Sequence, residues 1–379
     1  MRDISGRLTS LGIPDERPLL RRLETLAWGL PVCAVAIAVV GLTVVSSAST
    51  ELAVDYLPRQ LVWVAVGLLA MALGFALNHV TLLRLAIPIY AAGILALVAI
   101  LFFGHEAGGA RSWIGIGGLG GQPSDLMKLA VVLVLVRYLG ASDADRLRGR
   151  ELLVAIGVIA LPAVLIALQP DLGGALILVP VLGALAWLAG LRMRVVALAL
   201  AAMVALGAAA WVFTLQDYQR DRIRTFFAPS TDPLGAGYQI RQSKIAVGSG
   251  ELLGKGYLQG TQSQLRFLPA RHTDFAFAVL AEERGFVGVV AVLGLYLWYL
   301  WSGVRVASRA RDRQAIFLVV GLLAVLSFHI LYSTAMTIGF VPITGIPLPF
   351  LSYGGSFTLW CFFVTGLILG VDFRRWVNR

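Results

Sequence analysis

The sequence predicts an all-α, polytopic membrane protein with ten transmembrane helices and a large extracytoplasmic loop between helices seven and eight. Three observations predict it. Hydrophobic residues make up 58% of the chain and charged ones 14%, and mean hydropathy is +0.83, far above the range of soluble domains. Apolar windows recur along nearly the whole length. Lys and Arg are distributed unevenly between the segments that separate them.

The windows fall at 28–47, 61–78, 82–103, 126–139, 152–168, 175–188, 195–214, 275–301, 316–338 and 357–371. Several are shorter than the roughly 20 residues of a full span. Those spans must extend into flanking polar residues or end in re-entrant backbone. Segments on the N-terminal side carry nineteen of the 31 Lys and Arg residues, and short cytoplasmic loops are enriched in such residues. Both termini are therefore expected in the cytoplasm. Residues 1–26 form a tail rather than a removable signal peptide, 27–371 a membrane domain with its long outer loop at 216–273, and 372–379 a second tail.

The net charge of +10 fits this topology and contact with membrane lipid headgroups; no nucleic acid partner is expected. All three lysines, Lys128, Lys244 and Lys255, fall on the outer side, where a ligand is the natural reason for them. Cys33 and Cys361 lie inside apolar windows without metal or disulfide spacing and read as packing residues. No fixed-period repeat or two-half symmetry is visible, which disfavours a transporter.

The first outer loop is short and says little. The second, 104–124, is rich in glycine and contains Arg111 and Trp113, with Ser124 or Asp125 placed to cap the next helix after an ordered re-entrant turn. Lys128 sits one turn inside that helix, at i+3 from Asp125. An intrahelical ion pair would neutralise it, although a membrane lysine usually faces a cavity or pathway. At Gln169-Pro170-Asp171-Leu172-Gly173, Asp171 can cap the following helix or serve a site. The long loop has the length of a functional segment; its stretch 234–247 suits a short interfacial helix. Gly254-Lys255-Gly256 is too lax for a P-loop. The last outer loop carries three prolines and three glycines, irregular backbone that membrane depth tolerates only along a cavity or inside protein.

The pivotal stretch is Phe267-Leu268-Pro269-Ala270-Arg271-His272-Thr273-Asp274-Phe275, which puts an aspartate at the membrane boundary ahead of Glu282 and Glu283. Together with Gln122-Pro123-Ser124 and Lys128, Gln169-Pro170-Asp171-Leu172-Gly173, and Pro342-Ile343-Thr344-Gly345 through Ser352-Tyr353-Gly354-Gly355-Ser356, it resembles the SEDS family (shape, elongation, division and sporulation). The resemblance runs from about the first helix to the tenth. Gly260-Thr261-Gln262-Ser263 looks more like the RodA elongation branch than the FtsW division branch. Asp125 and Ala270 stand where Glu is common in the family, and Ser333 where Asn is frequent.

The resemblance implies a peptidoglycan glycosyltransferase of the bacterial cytoplasmic membrane that polymerises lipid II, with a class B penicillin-binding protein as partner. Displacing a lipid diphosphate from a sugar carbon asks for one base on the acceptor hydroxyl and cationic help for the leaving group. Asp274 is the candidate base, its alternative being an N-cap. Arg111, Lys128, Arg222, Lys244 and Arg271 are candidates for the diphosphates; His272 either donates to phosphate or has no role. Asp125 and Asp171 are candidates for tuning or ion binding. Glu282, eight residues after Asp274 and so near the same helix face, tunes the aspartate, holds an ion or pairs with Arg284. A divalent cation, Mg²⁺ or Mn²⁺, fits phosphate chemistry; its ligands are left unknown. The competing readings are a flippase of the lipid-linked precursor and a scaffold that docks a partner enzyme.

Overall fold

The computed structural model describes residues 24–50, 55–103, 105–107, 110–116, 119–141, 146–192, 194–195 and 235–375, with 220 and 228 singly. Helices occupy nine of the ten predicted windows; the window 195–214, apart from its first residue, lies outside the described residues. Among the described residues, seven helices are long and apolar enough to cross a membrane.

In chain order these are α1 (Gly29–Ser49), α2 (Leu57–Ala76), the short α3 (His79–Arg84), α4 (Ala86–Phe103), α5 (Pro123–Leu139), α6 (Gly149–Ala167), the pair α7 (Leu172–Leu176) and α8 (Leu178–Leu188), α9 (Ala236–Ser249), α10 (Thr261–Gln264), α11 (Ala276–Arg309), α12 (Arg313–Thr337) and α13 (Gly355–Arg374). Between α4 and α5 the glycine-rich loop folds into a small antiparallel sheet, β1 (His105–Ala107), β2 (Ala110–Ile116) and β3 (Leu119–Gly121), in the order β1-β2-β3. Strand pairing satisfies the backbone groups there. Neither Ser124 nor Asp125 caps α5: the N-cap position is Gln122, without a side-chain cap, and Pro123 opens the helix.

Helices α5, α12 and α13 form the interior. Helix α5 buries residues on every side, including Ser124, Asp125 and Lys128, and α12 and α13 are buried along most of their length. Helix α2 buries only Gln60, Gly67 and Gly74, and these face α13. A Cβ at Gly67 would strike the Phe362 ring, one at Gly74 the Phe363 carbonyl, and one at Gly366 the Met71 carbonyl. Missing side chains therefore let the two backbones approach closely, the usual means of helix association in lipid. At the arginine-rich end, Asp372 accepts from Ala27 N at 2.9 Å and pairs with Arg375, tying the start of α1 to the end of α13.

Helix α11, at 34 residues, is longer than a span requires, and it breaks at Gly285 (φ 62°, ψ −164°). Residues 276–283 before the break are all buried inside the protein. The segment after α9 repairs the interrupted ladder. Lys255 N and Gly256 N donate to the carbonyls of Glu282 and Glu283 at 3.0 and 3.1 Å, while Phe286 N and Val287 N donate to Glu251 and Leu252 carbonyls at 2.9 and 3.1 Å. Thus Gly254-Lys255-Gly256 serves as backbone docking, and irregular backbone inside the membrane domain is hydrogen-bonded as it must be. The expected stretch 234–247 falls largely within a helix, α9.

Candidate active site

Asp274 lies in the tight turn between α10 and α11. The amides of Thr273, Asp274 and Phe275 all point at the Ala270 carbonyl, at 3.1, 3.1 and 3.3 Å, and Ala270 takes a left-handed φ of 49° to allow it. The turn is anchored on both sides. Phe275 is fully buried and joins Ala246, Leu268 and Ala278 in a small satellite core beneath α9. Arg271, 2% exposed, donates to the carbonyls of Ala48 at 2.7 Å and Thr50 at 2.8 Å, a cation at the C-terminal end of α1 where the helix dipole favours one.

Between these anchors the Asp274 side chain stays half-buried. It does not cap α11, whose N-cap position is Phe275 with no side-chain cap. Its carboxylate faces the 342–349 loop: a Cβ at Gly345 would lie 3.8 Å from Asp274 Oδ2. Gly345 itself is at φ 73°, a conformation that favours glycine. On its other side this loop presses on the α7 turn, where a Cβ at Gly173 would meet the Thr344 carbonyl.

From that turn a buried polar path leads into the bundle. Asp171 caps α7 by accepting from Gly174 N at 2.8 Å, and takes Gln122 Nε2 at 3.0 Å. Gln122 N approaches Ser356 Oγ at 3.4 Å, and Ser356 Oγ donates to Asp125 Oδ2 at 2.7 Å. Lys128 Nζ bonds Asp125 Oδ1 at 2.8 Å and His329 Nε2 at 3.3 Å, and lies 4.9 Å above the Phe357 ring. His329 Nδ1 returns to the Pro347 carbonyl at 3.0 Å. Three of the four motifs, with His329 from α12, thus converge on one network, with Asp125 and Lys128 each 5% exposed and His329 fully buried.

Glu282, also fully buried, accepts from Lys255 Nζ at 2.8 Å, Gln262 N at 2.9 Å and Ser263 N at 3.1 Å. It holds the first turn of α10 and Lys255 rather than pairing with Arg284. Glu283 accepts from Ser47 Oγ and from Leu258 N. His272 stacks on Tyr56 (centroids 4.4 Å, 12° between planes) with Tyr353 alongside at 5.7 Å, and its carbonyl accepts from Tyr353 N at 2.8 Å. Burial, then the Arg271 charge, pulls the His272 pKa below its ordinary 6.5, so the ring is neutral near pH 7. Burial pushes the Tyr353 hydroxyl pKa up from its ordinary 10, and the nearby Arg59 charge opposes that rise.

Lys244 is exposed on α9, its stem against Gly339. The side chain of Arg111 and the whole of Arg222 lie outside the described residues. Among the described residues no three His, Cys, Asp or Glu side chains converge as a metal cage. Sequence reasoning missed His329 and Tyr56, and it gave Tyr353 a place in a motif but no role.

A family profile described as Cell cycle protein, spanning the FtsW, RodA and SpoVE proteins, matches residues 27–375. The chain belongs to that family. The SEDS resemblance carried by the four motifs is borne out, on the RodA side. The chain is 38% identical over 323 residues to the Peptidoglycan glycosyltransferase MrdB of Escherichia coli, covering 85% of this chain and 87% of that one. It is 33% identical to the Peptidoglycan glycosyltransferase RodA of Treponema pallidum, over 85% of this chain and 90% of its relative. Among solved structures, a chain from a peptidoglycan synthase complex that coordinates polymerization and crosslinking superposes with a TM-score of 0.81 at 32% identity, covering 93% and 99% of the two chains. The rod shape determining protein RodA of Thermus thermophilus superposes at 0.70 and 29% identity, with the same coverage.

Proposed function

We propose that this SEDS protein is a peptidoglycan glycosyltransferase that polymerises lipid II into glycan strands at the outer face of the cytoplasmic membrane during cell elongation, releasing undecaprenyl diphosphate. The observation that carries the reading is Asp274. Its backbone is fixed by the Ala270 turn, and its half-buried carboxylate faces the glycine- and proline-rich 342–349 loop. Homology to proteins named for this activity supports the same conclusion.

Asp274 takes the proton from the acceptor's 4-hydroxyl. The freed oxygen pair attacks the anomeric carbon of the donor, and the bond to the lipid diphosphate breaks with inversion, its electrons leaving on the diphosphate. Cations offset that charge. Lys244 faces solvent and is available to do so, as are Arg111 and Arg222 by their sequence positions. Lys128 and Arg271 point into the protein, where they hold the walls of the site. Asp125, Asp171 and Glu282 are likewise engaged in internal hydrogen bonds, and His272 supports the Asp274 turn. With no protein cage among the described residues, Mg²⁺ or Mn²⁺ would be held chiefly by substrate phosphates, supplying charge neutralisation there. A class B penicillin-binding protein is the partner, in keeping with the synthase complex that the fold matches, and both termini are cytoplasmic.

The test is purified protein with its partner in liposomes containing fluorescent lipid II and Mg²⁺. Glycan ladders are the expected result. Headgroup translocation without ladders would establish the flippase reading in its place.

A further inference from the structure

His329 is the one member of the buried network whose role the sequence did not suggest, and its surroundings define its chemical state. Lys128 Nζ carries only N–H donors, so the ring nitrogen 3.3 Å away, Nε2, has to be an acceptor. The Pro347 carbonyl 3.0 Å from Nδ1 only accepts, so Nδ1 carries the hydrogen. A protonated ring would put an N–H against an ammonium group. The ring plane is fixed as well, stacked on Phe357 at 4.3 Å and 25°, and the same Phe357 face also receives Lys128. His329 therefore bridges directly two parts of the site: the Asp125–Lys128 pair of α5, and the 342–349 loop whose Gly345 faces Asp274.

We propose that His329 is a positioning residue for glycosyl transfer: as a neutral imidazole with its hydrogen on Nδ1, it latches the 342–349 wall to the Asp125–Lys128 pair and so sets the surface opposite Asp274. The proposal rests on the glycosyltransferase reading above for its catalytic half. The latch itself, a single tautomer between an ammonium and a carbonyl, stands on geometry.

Two measurements test it on the full chain with its partner in liposomes. The first is the ¹⁵N spectrum of histidine-labelled protein, which has four histidines, with His329 assigned by its loss in His329→Phe. One protonated and one unprotonated nitrogen, unchanged from about pH 5 to 8 where a free histidine titrates, is the expected result. The second compares lipid II polymerisation by wild type, His329→Phe and His329→Asn. Phe keeps the stack but leaves Lys128 and Pro347 without their partner, and kcat should fall about 10–100-fold with KM nearly unchanged. Asn places an amide where Nδ1 was, restores the bond to Pro347, and should recover a large part of that loss at equal thermal stability. Two protonated nitrogens, or hydrogen on Nε2, would overturn the latch. A Phe variant with wild-type kcat would overturn the positioning role. Absence of polymer from the wild type would instead refute the glycosyltransferase reading and the catalytic half with it, leaving the spectrum to decide the latch.

Discussion

Asp274 was legible in the sequence because a carboxylate beside an apolar helix is costly and conspicuous. Asp125 and Lys128 were legible for the same reason, and their i+3 spacing gave the ion pair found at 2.8 Å. His329 was passed over although an ionisable ring inside the apolar run of α12 carries the same signal; what no local pattern encodes is its partner, Lys128, 201 positions away. Tyr56 was silent in a loop that gave no pattern. Its contact with His272 nonetheless yields a prediction. The folded pKa of His272 lies below 6.5 because of burial and Arg271, so the unfolded chain binds the proton first. The stability of the Tyr56–His272–Tyr353 cluster, with Arg271 and Arg59 beside it, is fully present above the unfolded pKa and is lost as pH falls through the folded one. Thermal unfolding in detergent should show the wild type losing stability between about pH 7 and 5 more steeply than His272→Phe. Parallel curves would remove His272 as the acid-sensitive group.

The elements show where a hydropathy window stops being informative. The window 275–301 reads as one continuous span, yet α11 breaks at Gly285, and only part of it is available to cross the membrane. A lone glycine in an apolar run is compatible with an unbroken helix, so the break required knowledge of residues 250–256 docking against it, a contact that no local pattern encodes. The small sheet β1-β2-β3 was hidden for a similar reason: its glycines suit a turn as well as a strand, and the pairing decides. The break gives a second prediction. At Gly285→Ala the new Cβ meets Gly254 N and the Leu252 carbonyl carbon in a backbone conformation that L residues rarely adopt. Strain and overlap together should cost at least about 2 kcal/mol. The expected signs are a lower melting temperature in detergent and faster amide exchange confined to 250–256 and 282–287. Unchanged exchange in those segments would mean that the docking does not hold the break.

For the whole molecule, composition alone was enough to establish a multi-pass helical membrane protein, and four motifs in order were enough for the family, because both signals extend over most of the chain. What composition could not supply is how the motifs meet. The glycines of α2 and α13 seat those helices against each other, α5 and α12 carry the buried network, and the 342–349 loop spans the gap between that network and the Asp274 turn. The proposed chemistry rests on one side chain of this assembly, so the account is tested most directly by lipid II polymerisation with Asp274→Asn, a near-isosteric change. The account predicts that ladder formation falls by about 10²–10⁴-fold, the share general base catalysis supplies, while melting temperature and partner binding are retained. Ladders of equal yield from the folded variant would contradict it and take Asp274 out of the reaction.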